Sequence, residues 1–356
     1  MKKNVIKLSF LSVITICSVV LLSAPVNAVS FKVSGQINRA IEYVDNGDES
    51  ELFHVDNDNS STRFRFVGSE EIGHGMTVGI VWEAQFESNS SSTIDVGNND
   101  DGESEFTERI FEAYFSGTWG KATIGQGDGA ANGTAEVDLS GTSVVTYAGV
   151  NDMAGSVTFV DSSGASTLTT ISDTRNQFDG LSRNDRLRYD TPKLGPVTLS
   201  TSVTNGDAWE LAARLSTEME GLGKIAAAIG YVDTEDRTTT QYDQIGASIS
   251  WLHDTGVNLT LSYGTRDTDG GTEPKNFYAK LGYIHGKQAV SIEWGQTDDL
   301  AAEGDESSSY GAGYVYNLYK GVELYAGYRL YELDRASGPN IEDINVLMAG
   351  TRVKFW

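Results

Sequence analysis

Apolar and polar residues alternate one by one along most of this chain. Residues 257–263 and 322–330 are two segments in which every second residue is apolar. A period of two places apolar side chains on one face of a β-strand and polar side chains on the other. Apolar residues spaced three and four apart, which mark amphipathic helices, are almost absent. The chain is therefore expected to be nearly all β.

The composition excludes several other classes of protein. Of the 356 residues, 39% are hydrophobic, which is more than a disordered chain carries. The 39 glycines lack the three-residue period of collagen. A net charge of −24 argues against nonspecific binding to nucleic acid. The length suits either two soluble domains or one large closed barrel.

The N-terminal segment has the features of a Sec-type signal peptide. Three lysines precede an apolar stretch over residues 8–22, and small residues lead up to Ala28. We predict that residues 1–28 are removed and that 29–356 form the folded domain. A membrane anchor is the alternative, but the apolar stretch is short for one. Because Cys17 is the only cysteine, the mature chain is expected to form no disulfide.

Beyond the predicted cleavage site, the longest apolar run is residues 225–232. A helix that crosses a bilayer needs about 20 such residues. An exported chain without a spanning helix is either a soluble protein or a β-barrel. A soluble β-sandwich remains the alternative at this point, with the apolar faces packed on each other.

The lengths of the connections favour the barrel. Short links alternate with long polar loops, as in outer-membrane barrels, where the two kinds lie at opposite rims. The pattern predicts a sixteen-stranded antiparallel transmembrane β-barrel. Its strands are expected at 31–43, 61–69, 76–87, 107–117, 121–127, 183–190, 197–203, 208–218, 223–232, 241–252, 257–266, 275–284, 287–296, 307–316, 321–333 and 343–356.

Four segments together resemble the trimeric general porins of Gram-negative outer membranes. Residues 61–73 are similar to the second strand and first periplasmic turn of that family, and 117–127 to its fourth-to-fifth strand hairpin. Residues 188–192 resemble the sixth strand with its turn, and 350–355 resemble the terminal strand. The order and spacing of these segments carry the likeness across the whole mature chain.

The resemblance implies a homotrimer in the cell outer membrane, in contact with lipid and lipopolysaccharide. Each subunit would form a water-filled channel for passive diffusion of small hydrophilic solutes, without a reaction or a cofactor. The family's final aromatic is read by the barrel-assembly machinery; here Phe355 and Trp356 both remain candidates. The alternatives are a substrate-specific channel, or a plugged barrel that acts as an adhesin or structural protein.

In porins the third loop folds into the barrel and narrows it. By resemblance, residues 128–182 are this loop, and we expect Asp128, Glu136 and Asp138 on the loop side of the constriction. A mobile external loop is the alternative, because the later part of the segment is rich in Ser and Thr.

Four arginines are expected to form the opposite, basic wall. Their neighbours Phe64, Phe66, Leu187 and Tyr189 would face lipid or another subunit, so strand alternation sends the arginines inward. On the next strand, alternation points either Arg109 or Glu112 into the lumen. Solvated surface charges are the alternative. The predicted wall consists of Arg63, Arg65, Arg186 and Arg188.

Three predicted outer loops are strongly acidic. Loops 44–60, 88–106 and 297–306 together contain 16 Asp and Glu residues and neither Lys nor Arg. They predict either a vestibule that enriches cations, with divalent ions bridging to lipopolysaccharide, or simply soluble loop tips. With the overall negative charge they favour a mild cation preference.

Patterns typical of enzymes are weak. Residues 125–130 fit the glycine spacing of a dinucleotide loop, but no helix follows. Residues 56–60 resemble the start of a calcium loop without its later ligands. The four histidines fall in separate turns and loops, where they are not placed for catalysis or a shared metal. We therefore expect neither an enzyme nor a metal site.

Overall fold

The computed structural model describes residues 30–98, 104–234 and 241–356. The predicted signal peptide lies outside the described residues and stays a prediction. Nineteen strands and one short α-helix, α1 at Ile171–Thr174, occur within the described part. The strands are β1 Ser30–Asp45, β2 Ser50–Asp56, β3 Arg63–Gly73, β4 Met76–Glu87, β5 Glu105–Gly117, β6 Gly120–Asp128, β7 Thr158–Val160, β8 Ser166–Thr170, β9 Arg183–Asp190, β10 Val197–Thr204, β11 Trp209–Met219, β12 Gly223–Asp233, β13 Tyr242–Leu252, β14 Val257–Thr268, β15 Lys275–His285, β16 Gln288–Asp298, β17 Glu306–Tyr319, β18 Val322–Asp334 and β19 Ile344–Phe355.

These strands form a closed antiparallel barrel. Strand β1 pairs with both β2 and β3, each barrel strand from β3 onward pairs with the next one in sequence, and β1 pairs with β19, which closes the sheet. Strands β2 and β3 share one position, since β2 pairs with the second half of β1 and β3 with the first half. Strand β6 pairs directly with β9, and β7 and β8 form a separate hairpin. The barrel therefore has sixteen strand positions, which confirms the predicted fold class.

The two faces of the barrel wall are inverted relative to a soluble protein. On β13, Ile245 and Ile249 are exposed, whereas Ser248 and Ser250 between and beside them are buried. The same alternation of exposed apolar and buried polar residues runs along β10 to β16. Soluble monomers rarely expose continuous apolar surfaces of this extent. The outer face is thus suited to acyl chains.

Short turns join the strands at one rim, as predicted. The link between β11 and β12 illustrates their geometry, because Gly223 has a φ of +84°. A Cβ at this position would lie 2.1 Å from the carbonyl oxygen of Leu252, so only glycine fits. The β1 start and the β19 end meet at this same rim, where Gly35 is paired with Phe355.

The structure adds elements inside two segments predicted as loops. Strand β2 extends the hairpin with β1 through predicted loop 44–60. Its two-residue period is not visible in the sequence, because apolar residues lie on both faces of the strand: Phe53 and Val55 are buried and Leu52 is exposed. The β7–β8 hairpin and α1 lie within predicted loop 128–182. Among the described residues, no helix has the length and apolar character needed to span a membrane.

The inner face is not polar everywhere, contrary to the simple alternation rule. On β1 and β19, Val44, Val346 and Met348 are fully buried and face inward. They belong to one apolar core together with Val145 and Phe159 of the segment between β6 and β9. We call residues 129–182 the inter-strand segment. Its residues Ala131, Phe178 and Val145 approach Gly230, Gly246 and Gly327 of the barrel strands.

Candidate functional site

A polar cavity of about 630 Å³ lies between the inter-strand segment and the barrel wall. We call it the central cavity. Barrel strands and the β2–β3 link contribute one part of its lining, and the inter-strand segment contributes another. Four guanidinium groups and six carboxylates line it within the described residues: Arg63, Arg109, Arg183 and Arg266, and Asp58, Glu108, Asp128, Glu136, Asp152 and Asp179.

Three arginines on the β3–β5 wall share a single carboxylate. Glu83 lies 2.9 Å from Arg109, 3.6 Å from Arg65 and 3.8 Å from Arg63, measured between the charged atoms. One carboxylate offsets one positive charge, so this part of the wall keeps a net positive charge. Of the three, Arg63 and Arg109 line the central cavity, whereas Arg65 lies beyond it toward the short-turn rim.

A β-bulge places both Arg109 and Glu112 of β5 on the inner face. Glu83 of β4 is opposite Ile110 and Ala84 is opposite Glu108, so Arg109 is the extra residue of the bulge. An inserted residue reverses the alternation beyond it. Arg109 therefore contacts Glu83 while Glu112 contacts Arg186. The expectation that only one of Arg109 and Glu112 points inward was wrong, because alternation alone does not reveal a bulge.

The other two predicted wall arginines are held in internal contacts outside the central cavity. Arg186 is paired with Glu112 at 2.5 Å and donates to the carbonyl oxygens of Gly125 and Asp128. Arg188 is paired with Asp190 at 2.8 Å and donates to the carbonyl oxygen of Gly129. Arg186 thereby ties β9 to β5 and β6, and Arg188 fixes the start of the inter-strand segment to β9. They do not line the cavity as Arg63 does.

The three predicted loop acids separate in the structure. Asp128 is the last residue of β6 and lines the central cavity. Glu136 also lines it, and accepts a hydrogen bond of 2.7 Å from Gln177. Asp138 lies elsewhere, in a buried ion pair of 2.7 Å with Lys280 of β15. That pairing explains why Asp138 does not extend the acidic side of the cavity.

Two carboxylates that the sequence did not single out complete the acidic side. Asp179 accepts hydrogen bonds from the backbone amides of Ala135 and Gly133, and Asp152 accepts one from the Tyr147 hydroxyl. Burial raises the pKa of Asp179 to about 6 and that of Asp152 to about 7. Burial also raises the pKa of Glu136 well above its ordinary value. The charge of this side therefore depends on pH near neutrality.

Two further arginines were also missed. Arg266 has the same parity as the inward Ser262 on β14, so strand alternation does predict that Arg266 points inward. Its guanidinium lies 4.4 Å from the Tyr242 ring centre and 5.2 Å from that of Phe178, and its Nε donates to Gln244. Arg183, at the first position of β9, has the opposite parity to the predicted Arg186 and gave no such signal.

The predicted weak calcium pattern is occupied by protein contacts. Asp56 is paired with Arg39 at 2.5 Å, and Asp58 accepts hydrogen bonds from Ser90 and Ser92. Over the described ranges, no group of three His, Asp or Glu side chains is arranged to hold a metal ion.

Comparisons with known proteins agree with this architecture. Outer membrane protein U of Vibrio parahaemolyticus is 23% identical over 252 residues, which cover 64% of this chain and 71% of that protein. The anion-selective porin from Comamonas acidovorans superposes with a TM-score of 0.64 at 17% identity, covering 92% of this chain and 100% of the other. The trimer form of OmpT, an outer membrane protein of Vibrio cholerae, gives a TM-score of 0.59 at 11% identity with the same coverage.

A family model also matches this chain. The model describes the Gram-negative porin and matches residues 15–336, most of the chain. The structural neighbours support the same fold, although at such low identities they support the fold alone. With its closed sixteen-stranded barrel, this outer-membrane channel protein belongs to the Gram-negative porin family.

Proposed function

We propose that this protein is a general diffusion channel, through which small hydrophilic solutes and ions pass down their gradients. In this proposal the inter-strand segment lies in the lumen, and the central cavity is the narrow part of the water path. The observation that carries the proposal is the distribution of charge in that cavity. Arginines from β3, β5 and β9 share it with carboxylates of the segment, such as Asp152 and Asp179.

Such an arrangement discriminates between solutes by polarity. Where the arginines of the wall face the carboxylates of the segment across a narrow water path, they create a transverse field, which is strengthened by the low-dielectric wall around it. A polar solute that aligns with this field is compensated for part of its lost hydration. An apolar solute gains nothing in return, so its passage is disfavoured.

We further propose a weak preference for cations. Above the raised pKa values of Glu136, Asp152 and Asp179, six charged carboxylates face four guanidinium groups in the described lining of the central cavity, and the outer loops are acidic. Both features raise the local concentration of cations, although salt limits their range to about 8–10 Å. The anion selectivity named for the Comamonas acidovorans porin belongs to that protein and is a reason to measure the property here.

Assembly as a homotrimer is the next part of the proposal. Aromatic rings form a continuous patch on the outer face of β3 to β5, where Phe86 and Phe106 lie 4.7 Å apart and Phe66 stacks on Trp82 at 5.4 Å. A rigid aromatic patch suits contact with another subunit better than contact with mobile lipid alone. The trimer form of OmpT supports this arrangement by analogy. Contact with lipopolysaccharide, and recognition of Phe355 or Trp356 during barrel assembly, stay proposals.

A plugged barrel is the second candidate, and one observation favours it. Val145, Val150 and Phe159 of the inter-strand segment are buried in an apolar core with inner residues of β1 and β19. A segment packed in this way fills part of the barrel. The central cavity beside it favours a partial obstruction over a complete one.

Single-channel recording separates these functions. The purified full-length protein would be inserted into planar bilayers in KCl, and a KCl gradient would give the reversal potential. A diffusion channel gives large ohmic steps, and a substrate-specific channel gives currents that one solute blocks in a saturable way. Absence of current after verified insertion would support the plugged barrel and contradict our proposal. A clear anion preference would contradict only the proposed selectivity.

A further inference from the structure

A second cavity, of about 340 Å³, lies on the inner face near the short-turn rim. We call it the rim cavity. Lys32 of β1, Arg63 and Arg65 of β3, and Lys354 of β19 contribute four positive charges to its lining. Arg63 lines the central cavity as well, so the two cavities adjoin at this side chain.

Strand register concentrates these charges. Gln36 of β1 is directly opposite Arg63 on one side and Lys354 on the other, and Ser34 is opposite Arg65. Directly opposite residues have Cβ atoms about 5 Å apart, so the Cβ atoms of Arg63 and Lys354 lie about 10 Å apart, with Gln36 between them. Gln36 itself is held by hydrogen bonds to Ser60 and Ser61. The four cations therefore share one small patch of a fixed wall.

Carboxylates compensate this patch only in part. Glu83, the acidic residue of the described lining, is shared by Arg63, Arg65 and Arg109. Glu323 lies just outside and is shared by Lys354 and Arg352, at 2.7 and 2.5 Å. Lys32 has neither an ion pair nor a hydrogen-bond partner among the described side chains. Six cations thus face two carboxylates.

A chain with a net charge of −24 therefore has a locally basic inner wall. Guanidinium groups offer planar, paired N–H donors that match the oxygens of phosphoryl and carboxylate groups. A monovalent anion engages one or two of these cations, whereas a multivalent oxyanion engages several at once. Because the cations are only partly compensated and are held on a fixed wall, they favour the multivalent ion.

We propose that the rim cavity binds multivalent oxyanions, namely solutes in the channel that carry several phosphoryl or carboxylate groups. The proposal rests on the proposed channel function only for its access route, because binding itself needs no current. Entry from the short-turn side is direct. Entry from the opposite side leads past the carboxylates of the central cavity, so occupancy from that side is lower.

The test uses inorganic pyrophosphate and citrate as probes on the purified full-length protein. Isothermal titration calorimetry in detergent gives the affinity, and planar-bilayer recording gives the block of KCl current. We expect saturable binding, and stronger block when the probe is added on the short-turn side. The double variant Lys32→Gln/Arg65→Gln should weaken binding at least about tenfold. Neither side chain donates a hydrogen bond within the described structure, which favours normal folding of this variant.

The matched control is Lys193→Gln/Lys287→Gln, which removes two cations from short turns outside the rim cavity. Its affinity for pyrophosphate should equal that of the parent protein. Equal loss in both double variants would overturn the proposal, as would absence of calorimetric binding in a protein that conducts KCl normally. Binding without any KCl current would support the site and contradict the diffusion channel. Binding of pyrophosphate but not citrate would narrow the ligand to phosphoryl groups.

Discussion

The two sides of the inter-strand segment differ in chemistry. On its apolar side, Val145, Val150 and Phe159 pack into a core with the inner residues of β1 and β17–β19. On its acidic side, Glu136, Asp152 and Asp179 line the central cavity. Burial of apolar surface is worth about 25 cal/mol per Å², whereas buried carboxylates cost free energy unless they are compensated. Packing of the apolar side therefore holds the segment in place and offsets the cost of placing carboxylates on its acidic side.

Polar contacts on the apolar side strengthen this division. Arg329 of β18 is paired with Glu293 at 2.6 Å and donates to the carbonyl oxygen of Val150. The Tyr331 hydroxyl lies 2.6 Å from the same oxygen. Arg175 of the segment donates to the Ser307 carbonyl oxygen and to the Ser309 hydroxyl of β17. The Val150 carbonyl of the segment is thus bonded to side chains of the wall, and the Arg175 side chain of the segment is bonded to β17.

The largest expected effect comes from emptying the apolar side. Phe159→Ala removes a fully buried ring and should destabilise docking of the segment by about 3–5 kcal/mol. Limited proteolysis of the folded protein should then cut within residues 129–182 much faster. Leu168→Ala is the control, because Leu168 is 87% exposed on the same segment. Equal protease resistance in Phe159→Ala and the parent protein would mean that the core does not hold the segment.

A smaller effect is expected from closing the gap between segment and wall. A Cβ on Gly246 of β13 would lie 2.3 Å from the carbonyl oxygen of Phe178. Gly246→Val should therefore displace the segment at a cost of about 1–3 kcal/mol and make single-channel current noisier. Ala247→Val on the outward face of the same strand is the control. If both variants give the parent noise level, close contact at Gly246 is unimportant.

Removing the wall arginines that face the acidic side of the segment should change ion selectivity and leave the fold intact. Arg63→Gln/Arg109→Gln deletes two positive charges from the central cavity and should raise the cation-to-anion permeability ratio about two- to threefold. Arg188→Gln is the control, since Arg188 is engaged with Asp190 outside the cavity. Reversal potentials in a KCl gradient measure both. A larger shift in the control would reverse our assignment of the wall.

The smallest effect is a dependence on pH. Asp152 and Asp179, with pKa values of about 7 and 6, are charged at pH 8 and become neutral as the pH falls to 5. Cation preference should therefore decrease over this interval, by less than about twofold because salt screens the charges. Asp152→Asn/Asp179→Asn should flatten the profile. Asp161→Asn, at a position of the segment outside the central cavity, should retain it.

Much of the barrel could be predicted from the sequence, because strand alternation and link lengths act locally. Strands such as β4 and β10 lie where the pattern put them. Strand β2 was missed because its buried Phe53 and Val55 lie between Glu51 and Asp56 in an acidic segment that resembles a loop. The site was predicted less well: Arg63 and Glu136 line the central cavity, while Arg186 and Asp138 are engaged in ion pairs elsewhere.

The sequence contains one further indication of the path of the inter-strand segment. Inward glycines recur on successive strands, and the segment contacts each of them. Ala131 approaches Gly230, Phe178 approaches Gly246, and Val145 approaches Gly327. A stripe of small residues on the inner face marks where another backbone comes close.

The sequence by itself determined the barrel, its strands and its inverted faces, because these follow from a two-residue period and short-range turns. Only the tertiary structure decided which charges face the central cavity and which are paired within the wall. A bulge at Arg109 reversed the alternation along β5, and Lys280 paired with Asp138 from a strand far along the chain. Such contacts depend on the closure of the whole sheet, which no local period records.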